Sequence, residues 1–213
     1  DNSPEVLIFP TDYNSFIKTT DDYYTRWEIA TFTRTLRYVA AFLSMILPGL
    51  YLAMTNFHTQ LLPTKLLLSF AAARQGVPFP GVVEVLLMEL SLDANIVSPM
   101  VVIVVAFTAL CSFAIPNEDF ATAFRLLKFV FIGLSAALGF YGFLLGLLIL
   151  LIHLAQLESF GMPYLMPFVG ADLNDYRDER DSLVRPPLQA LTHRPFYANP
   201  KNRVRLRMKY KNR

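Results

Sequence analysis

Two carboxylates interrupt an otherwise apolar stretch, residues 82–92, and are the first candidates for chemistry. Glu84 and Glu89 lie in VVEVLLMELSL, which has the composition of an apolar helix. An acid at membrane depth is costly and usually faces protein or water. Their spacing places them about 140° apart on a helix, so they do not form one catalytic pair. Three interpretations are open: structural pairing, for example with Arg74 or a neighbouring subunit; an ion pathway; or exposure at the surface.

The segment from Asn95 to Pro116 predicts a membrane span with one polar face. It contains no charged side chain, and about twenty residues of helix measure ~30 Å, the thickness of a bilayer core. Small hydroxyl and valine side chains recur at steps of three and four, so they share one face. These residues are Ser98, Val101, Val105, Thr108 and Ser112. The stripe suits a tight helix–helix seam or a pore lining. We interpret it as pore lining, with the valines as a narrow apolar gate.

Asn117, Glu118 and Asp119 follow this span directly. Asn117 can cap the next helix, and two acids in the first turn of that helix are favourable against its dipole. Repeated around a ring of subunits, the same acids would form a negative collar at a pore mouth, which favours cations. Both interpretations are open from the sequence.

The sequence offers little for catalysis or metal binding. His58, His153 and His193 are scattered and share no motif context, so no Ser–His–acid set can be argued. No phosphate-binding loop, H-E-x-x-H or paired Cys-x-x-Cys motif occurs. The single cysteine, Cys111, has no partner for an intrachain disulfide. We therefore expect a non-enzymatic protein with no catalytic residue, no metal and no cofactor.

The composition indicates an integral membrane protein with polar ends. Hydrophobic residues make up 54% of the chain and charged residues 17%, against about 25% charged residues in an average soluble domain. Charges are sparse between Arg37 and Glu158 and dense after Gly170. The first residues carry acids and prolines without a basic segment, so we expect no secretory signal and interpret the chain as a piece of a longer protein.

The predicted fold class is an all-α integral membrane protein with about four transmembrane helices. The first span covers 38–57 and the second is the striped segment. A hairpin broken at Gly139–Gly142 supplies the others, with arms 123–138 and 143–157. One long tilted helix over 120–157 is the alternative.

Two further helices are predicted not to cross the membrane. Residues 61–76, LLPTKLLLSFAAARQG, predict an amphipathic helix on the membrane surface. Residues 82–92 predict a re-entrant or packed helix. Basic residues beside the spans place the N-terminal side and the tail in the cytoplasm. These residues are Arg26, Arg34, Arg37, Arg125 and Lys128.

Three domains are predicted. Residues 1–33 end a cytoplasmic N-terminal domain and include a strand-like run at 5–9, and residues 34–169 form the helical membrane domain. Residues 170–213 form a small soluble cytoplasmic tail, in which 203–211 could be a strand with one basic face. From Arg185 onward there are nine Lys or Arg residues and no acid. We expect this tail to bind anionic lipid head groups or the N-terminal domain, and not nucleic acid.

Several long strings resemble the GerA family, the A subunits of bacterial spore nutrient germinant receptors. They are FHTQLLPTKLLLSFAAARQGVPFPGVVEVLLMEL (57–90), NIVSPMVVIVVAFTALCSFAIPN (95–117), HLAQLESFGMPYLMPF (153–168) and DDYYTRW (21–27), with the span at 34–51. Between Leu90 and Asn95 the family carries several dozen more residues. Either this chain is a shortened variant, or those residues are missing from the sequence. Of the family's large N-terminal domain, we expect this sequence to contain only the last strand.

The resemblance implies a multi-pass protein of the spore inner membrane. It implies a homo-oligomeric ring, of which a pentamer is one form, around a pore for monovalent cations. It also implies two partner subunits, a nutrient-sensing B subunit and a lipoprotein C subunit, besides membrane lipid. The function it suggests is a nutrient-gated cation channel. The alternatives are a non-conducting scaffold for the sensing subunit, a proton-coupled transporter that uses Glu84 and Glu89, and a spore-specific paralogue of the A subunit.

Overall fold

The computed structural model describes residues 9, 11–57, 59–91, 97–166, 168–169 and 181–187. This part of the chain is mostly helical. Its helices are α1 (Tyr13–Ile17), α2 (Trp27–Leu52), α3 (Thr64–Ala73), α4 (Gly81–Ser91), α5 (Pro99–Phe113) and α6 (Glu118–Gln156), and its strands are β1 (Glu158–Ser159) and β2 (Met162–Pro163). Short 3-10 turns cover Thr20–Tyr23 and Thr59–Leu61, and the π-helical segment Ala53–Phe57 continues α2.

The chain divides into two compact units. Asp1–Leu36 and Ile152–Arg213 form one, here called the terminal unit, and Arg37–Leu151 form the other, here called the helical unit. The boundaries predicted at 33/34 and 169/170 stay a prediction. The strand-like run at 5–9, apart from Phe9, lies outside the described residues, as do His58, His193 and the basic run at 203–211.

In the terminal unit, α1 packs on the β-hairpin that follows α6. Asp12 begins α1, because its carboxylate accepts a hydrogen bond of 3.1 Å from the backbone N–H of Ser15. The antiparallel strands β1 and β2 are joined through Gly161, whose φ of 79° suits glycine. The buried side chain of Asn14 donates a hydrogen bond of 2.9 Å to the carbonyl of Met166. This contact fastens the first helix to the hairpin.

In the helical unit, α6 turns back on itself at Gly139, where φ is 63° and ψ is −138°. The rings of Phe131 and Phe143 lie 5.8 Å apart, whereas a straight helix would separate these positions by ~18 Å. A Cβ atom on Gly142 would lie 2.1 Å from the carbonyl oxygen of Leu134, so glycine is required for this approach. The predicted hairpin is confirmed, and the alternative of one long tilted helix is wrong.

The core of the helical unit joins α2, α4, α5 and the first arm of α6. Its buried residues are Leu52, Val85, Met88, Val97, Val101, Val105 and Ile132. The first arm of α6 also approaches α2 closely, because a Cβ atom on Gly49 would lie 3.1 Å from the carbonyl oxygen of Phe131. The interior face of α5 is therefore covered by three other segments of the same chain.

Among the described residues, two helical segments are long and apolar enough to cross a membrane, Trp27–Phe57 and Glu118–Gln156, of which the second is the hairpin of α6. The predicted count of about four spans is not confirmed. The helix of the striped segment is shorter than predicted: its 15 residues measure ~22 Å. It begins after Ser98 with Pro99 in its first turn and ends before Ala114. Proline favours the first helical position because it lacks an N–H to leave unsatisfied.

The two other predicted helices are present with slightly different bounds. α3 lies within the predicted 61–76, and none of its described residues is buried. α4 lies within one residue of the predicted 82–92 and is packed into the core through Val85 and Met88. The packed form of the prediction for α4 is therefore confirmed.

Candidate functional site

Glu84 of α4 binds the beginning of α5. Its Oε2 accepts a hydrogen bond of 2.7 Å from the hydroxyl of Ser98 and one of 3.2 Å from the backbone N–H of the same residue. Both residues are 1% exposed. A carboxylate at a helix N-terminus is favoured by the partial positive charge of the unsatisfied N–H groups. The sequence suggested Arg74 as a possible partner, but in the structure Glu84 accepts these hydrogen bonds from Ser98.

Glu89 of α4 is paired with Lys128 in the first arm of α6. The Nζ atom of Lys128 donates a short hydrogen bond to Oε2 of Glu89, and the two side chains are 10% and 6% exposed, respectively. The Oε1 atom of Glu89 accepts no hydrogen bond from the described residues. Lys128 is therefore not a flanking charge beside a span, as its use in predicting orientation assumed. It compensates a buried carboxylate, which would otherwise be costly.

The predicted stripe on α5 faces the inside of the protomer. Its members Val101 and Val105 are 0% and 1% exposed and belong to the core, and Ser98, Thr108 and Ser112 are also buried. The opposite face carries the exposed apolar side chains, which include Ile103 and Leu110. The sequence left a helix–helix seam and a pore lining open, and in this structure the stripe forms a helix–helix seam. A pore-lining role for the stripe stays a prediction.

The hydroxyls of the stripe differ in their hydrogen-bond acceptors. Thr108 donates to the carbonyl of Val105 and Ser112 to that of Ala109, each at 2.8 Å within α5 itself. Serine and threonine in helices often satisfy their hydroxyls on the preceding turn in this way. Ser98 instead donates to another helix. Ser98 thus connects α5 to α4 through Glu84, whereas the hydroxyls of Thr108 and Ser112 bond within α5.

A polar cleft of about 510 Å³ lies at the far end of the stripe. It contains residues from the end of α5 and the beginning of α6, among them Ser112, Glu118, Thr122 and Arg125. Asn117 caps α6, because its Oδ1 accepts a hydrogen bond of 2.8 Å from the backbone N–H of Phe120. The capping role is confirmed, and Glu118 and Asp119 occupy the first turn as expected. Arg125 in the same cleft opposes the negative charge of the predicted pore mouth.

A second polar network lies in the terminal unit and is centred on Arg34. This residue is fully buried. Its Nε atom lies 3.3 Å from the carboxylate of Asp22, and Nη1 donates 2.9 Å and 3.1 Å hydrogen bonds to Asp181 and to the carbonyl of Ser182. Nη2 is buried without a hydrogen-bond partner among the described residues. The network joins the base of α2 to residues 181–187.

Tyr23 and Arg185 complete the terminal network. The hydroxyl of Tyr23 donates a hydrogen bond of 2.8 Å to Asp181. Burial, followed by this hydrogen bond, raises the pKa of Tyr23 to about 12. The guanidinium of Arg185 donates to the carbonyls of Thr25 and Tyr23 at 2.8 Å and 3.2 Å and lies 5.0 Å from the centre of the Tyr23 ring. Burial also lowers the pKa of nearby Lys18, against the opposing effect of Asp181.

The sequence did not identify Lys128, Asp181 or Arg185 as parts of polar sites. For Lys128 a signal was present, because a lysine within a long apolar run requires a partner, and Glu84 and Glu89 were both candidates. For Asp181 no local pattern distinguishes it from the other acids between 172 and 181. Its partner lies far away in the chain and is defined only by the fold.

Comparison with known proteins gives one consistent family. The family model described as Bacillus/Clostridium GerA spore germination protein matches residues 1–94 and 90–197. Similar proteins include spore germination protein KA of Bacillus subtilis, which is 38% identical over 96% of this chain and 43% of its own length. Spore germination protein GerLA of Bacillus cereus is 34% identical over 95% of this chain and 47% of its own length. The uncharacterized membrane protein YfkQ of Bacillus subtilis is 35% identical over 92% and 44%.

The extent of these matches is also informative. The chain spans about half the length of the curated relatives it matches. The alignment with protein KA covers 236 positions, more than the 213 residues of the chain, and the family match is divided near residue 90. The relative therefore has residues that this chain lacks, as the resemblance implied between Leu90 and Asn95. No solved structure matches. The family match covers most of the sequence, and the chain belongs to the GerA family of spore germination proteins.

Proposed function

We propose that this chain is the membrane portion of the A subunit of a spore nutrient germinant receptor. In this proposal it is a multi-pass, non-enzymatic protein of the spore inner membrane. It assembles with a nutrient-sensing B subunit and a lipoprotein C subunit. Family membership supports the proposal. So do the names of the relatives as spore germination proteins and the two helical segments that are long and apolar enough to cross a membrane.

We propose further that several copies form a ring, for example a pentamer, which conducts monovalent cations when nutrient is sensed. The observation that carries this proposal is the hydrogen bonding of the stripe. Because Thr108 and Ser112 satisfy their hydroxyls on α5 itself, these side chains can leave the core without breaking a bond to another helix. Water can then replace the apolar neighbours of the stripe at little polar cost. The adjoining polar cleft, lined by Glu118 and Thr122, would provide a hydrated path by which cations leave the pore.

Ion flux through lipid vesicles tests the channel. The chain is reconstituted with its partner subunits, and release of trapped potassium is followed with and without nutrient. Val105→Thr keeps the shape of the side chain and adds a hydroxyl, so it should hydrate a narrow apolar gate and raise the resting flux. Val104→Thr, the same change at a half-buried neighbour, is the matched control and should conduct as the native chain does. Equal flux from both variants would contradict the role of Val105.

A non-conducting scaffold is the second candidate function. The burial of Val101 and Val105 favours it, since a permanent packing seam needs no passage for ions. A scaffold would release no potassium in the vesicle assay under any condition. The sensing subunit would still need the scaffold to remain in the membrane. Co-purification of the two subunits from membranes would show this binding.

A further inference from the structure

α4 is one of the segments that pack on the α5 stripe, at Val101 and Val105, and its two carboxylates bind residues outside α4. Val85 is fully buried and packs with Val101 and Val105 in the core. On one face Glu84 binds Ser98 at the beginning of α5, and on another Glu89 binds Lys128 of α6. Both acids are therefore used to position α4. The partner of each acid lies outside α4.

These two contacts have different consequences for movement of α4. Val101 and Val105 of α5 offer α4 only apolar packing, which has no preferred direction. The Ser98–Glu84 hydrogen bond and the Glu89–Lys128 ion pair are directional, and a buried carboxylate that loses its partner is unfavourable. The arrangement with α4 over the stripe is therefore stabilised at the two ends of α4, while the middle of the interface can separate.

We propose that Glu84 and Glu89 are gating residues, and that their contacts with Ser98 and Lys128 form a latch that keeps α4 over the stripe. Release of the latch exposes Val105 to water. The proposal rests on the channel function proposed above, because it identifies α4 as an element that must move before the stripe can line a conduit. The ion-pathway interpretation of the two acids is replaced by a positioning role: they determine whether the pathway is open and do not carry the ion.

A thiol-accessibility experiment tests the latch without requiring conduction. Cys111 is the single cysteine of the chain, so Cys111→Ser provides a cysteine-free background. Val105→Cys is then introduced, and its reaction with a charged methanethiosulfonate reagent is measured in lipid vesicles. In the otherwise native chain this thiol should be protected. Thr122→Cys in the exposed wall of the cleft is the accessible reference.

Four variants separate the latch from general destabilisation. Ser98→Ala removes one donor to Glu84, and Lys128→Met removes the partner of Glu89. Each should raise the labelling rate of Cys at position 105 by about tenfold or more, the factor for losing a hydrogen bond to a charged group. The exchange Glu89→Lys with Lys128→Glu restores an ion pair and should restore protection. Lys65→Met, at an exposed lysine of α3, is the matched control and should leave the thiol protected.

The outcomes distinguish the two proposals. Labelling in the latch variants together with potassium release supports both the latch and the channel. Labelling without potassium release supports the latch and contradicts the channel. A thiol that stays protected in Ser98→Ala and Lys128→Met, or that is not protected again by the exchanged pair, overturns the latch whatever the flux shows.

Discussion

Arg34 and Asp181, 147 positions apart in the chain, form an ion pair with a distance of 2.9 Å between Nη1 and Oδ1. Arg34 is 0% exposed, whereas the side chain of Asp181 is 21% exposed. A buried guanidinium is costly unless it is paired and hydrogen-bonded. The segment 181–187 therefore does more than cover the base of α2, since it supplies the carboxylate and the carbonyls that Arg34 requires.

Asp181→Asn should loosen this segment. The amide removes the negative charge opposite Arg34. Docking of residues 181–187 should therefore become weaker by about 1–3 kcal/mol. Amide hydrogen exchange of residues 182–185 measures the change directly, because the peptide groups exchange faster as the segment opens. Glu28→Gln, at an exposed acid in the first turn of α2, is the matched control. Exchange that is equally slow in both variants would show that Asp181 does not hold the segment.

Tyr23 should make the terminal unit sensitive to alkaline pH. Its pKa in the folded chain, about 12, lies above the ordinary value of about 10. The folded state therefore holds the phenolic proton more tightly. The corresponding stability is complete below pH ~10 and is lost as the pH rises through ~12.

Tyr23→Phe should therefore flatten the fall of unfolding free energy between these two pH values. The slope should not vanish, because burial also raises the pKa of Tyr13 to about 12. Denaturant unfolding of the solubilised chain at a series of pH values provides the measurement. Tyr24→Phe, at a neighbouring tyrosine that is 88% exposed, should keep the native slope. An unchanged slope in Tyr23→Phe would refute the linkage.

Local sequence patterns predicted the parts of the fold that local physics determines. Asn117 before two acids predicted the cap of α6, because the side chain reaches the N–H groups of its own first turn. Paired glycines at 139 and 142 predicted the hairpin, because only glycine combines a positive φ with such close packing. Pro63 at the start of the run at 61–76, with Lys65 and Arg74 at its two ends, likewise predicted a separate helix, which is α3.

The direction in which each face points was not available from the same patterns. Spacing showed that Val101 and Val105 share one face of α5, yet it contains no information on whether that face meets water or α4. The pairing of Glu89 with Lys128 likewise depends on how α4 and α6 pack, which is decided by side chains distant in sequence. The candidate site depends on these contacts. The sequence could therefore identify the residues of the site but not which of them are in contact.

Alanine substitutions at two glycines of the α6 hairpin should have very different effects on stability. A Cβ atom at Gly142 would lie 2.1 Å from the carbonyl oxygen of Leu134, whereas a Cβ atom at Gly133 would meet nothing within 4 Å. Gly142→Ala should therefore separate the two arms and destabilise the chain by about 1–3 kcal/mol or more. Gly133→Ala should be tolerated or stabilise the helix by up to about 1 kcal/mol. Unfolding midpoints measure both, and similar values for the two variants would argue against the close approach of the arms.

The surface helix α3 should lie against lipid. None of its described residues is buried, and Leu68 is 68% exposed, although its sequence TKLLLSFAAA is largely apolar. An apolar helix of this kind is stabilised when one face enters the boundary between head groups and acyl chains. In the Cys111→Ser background, an environment-sensitive fluorophore on Leu68→Cys should shift to shorter wavelength when detergent is replaced by vesicles. The same fluorophore on Gln75→Cys, exposed just beyond the helix, should shift less. Equal spectra at the two positions would mean that another part of the assembly, and not lipid, covers α3.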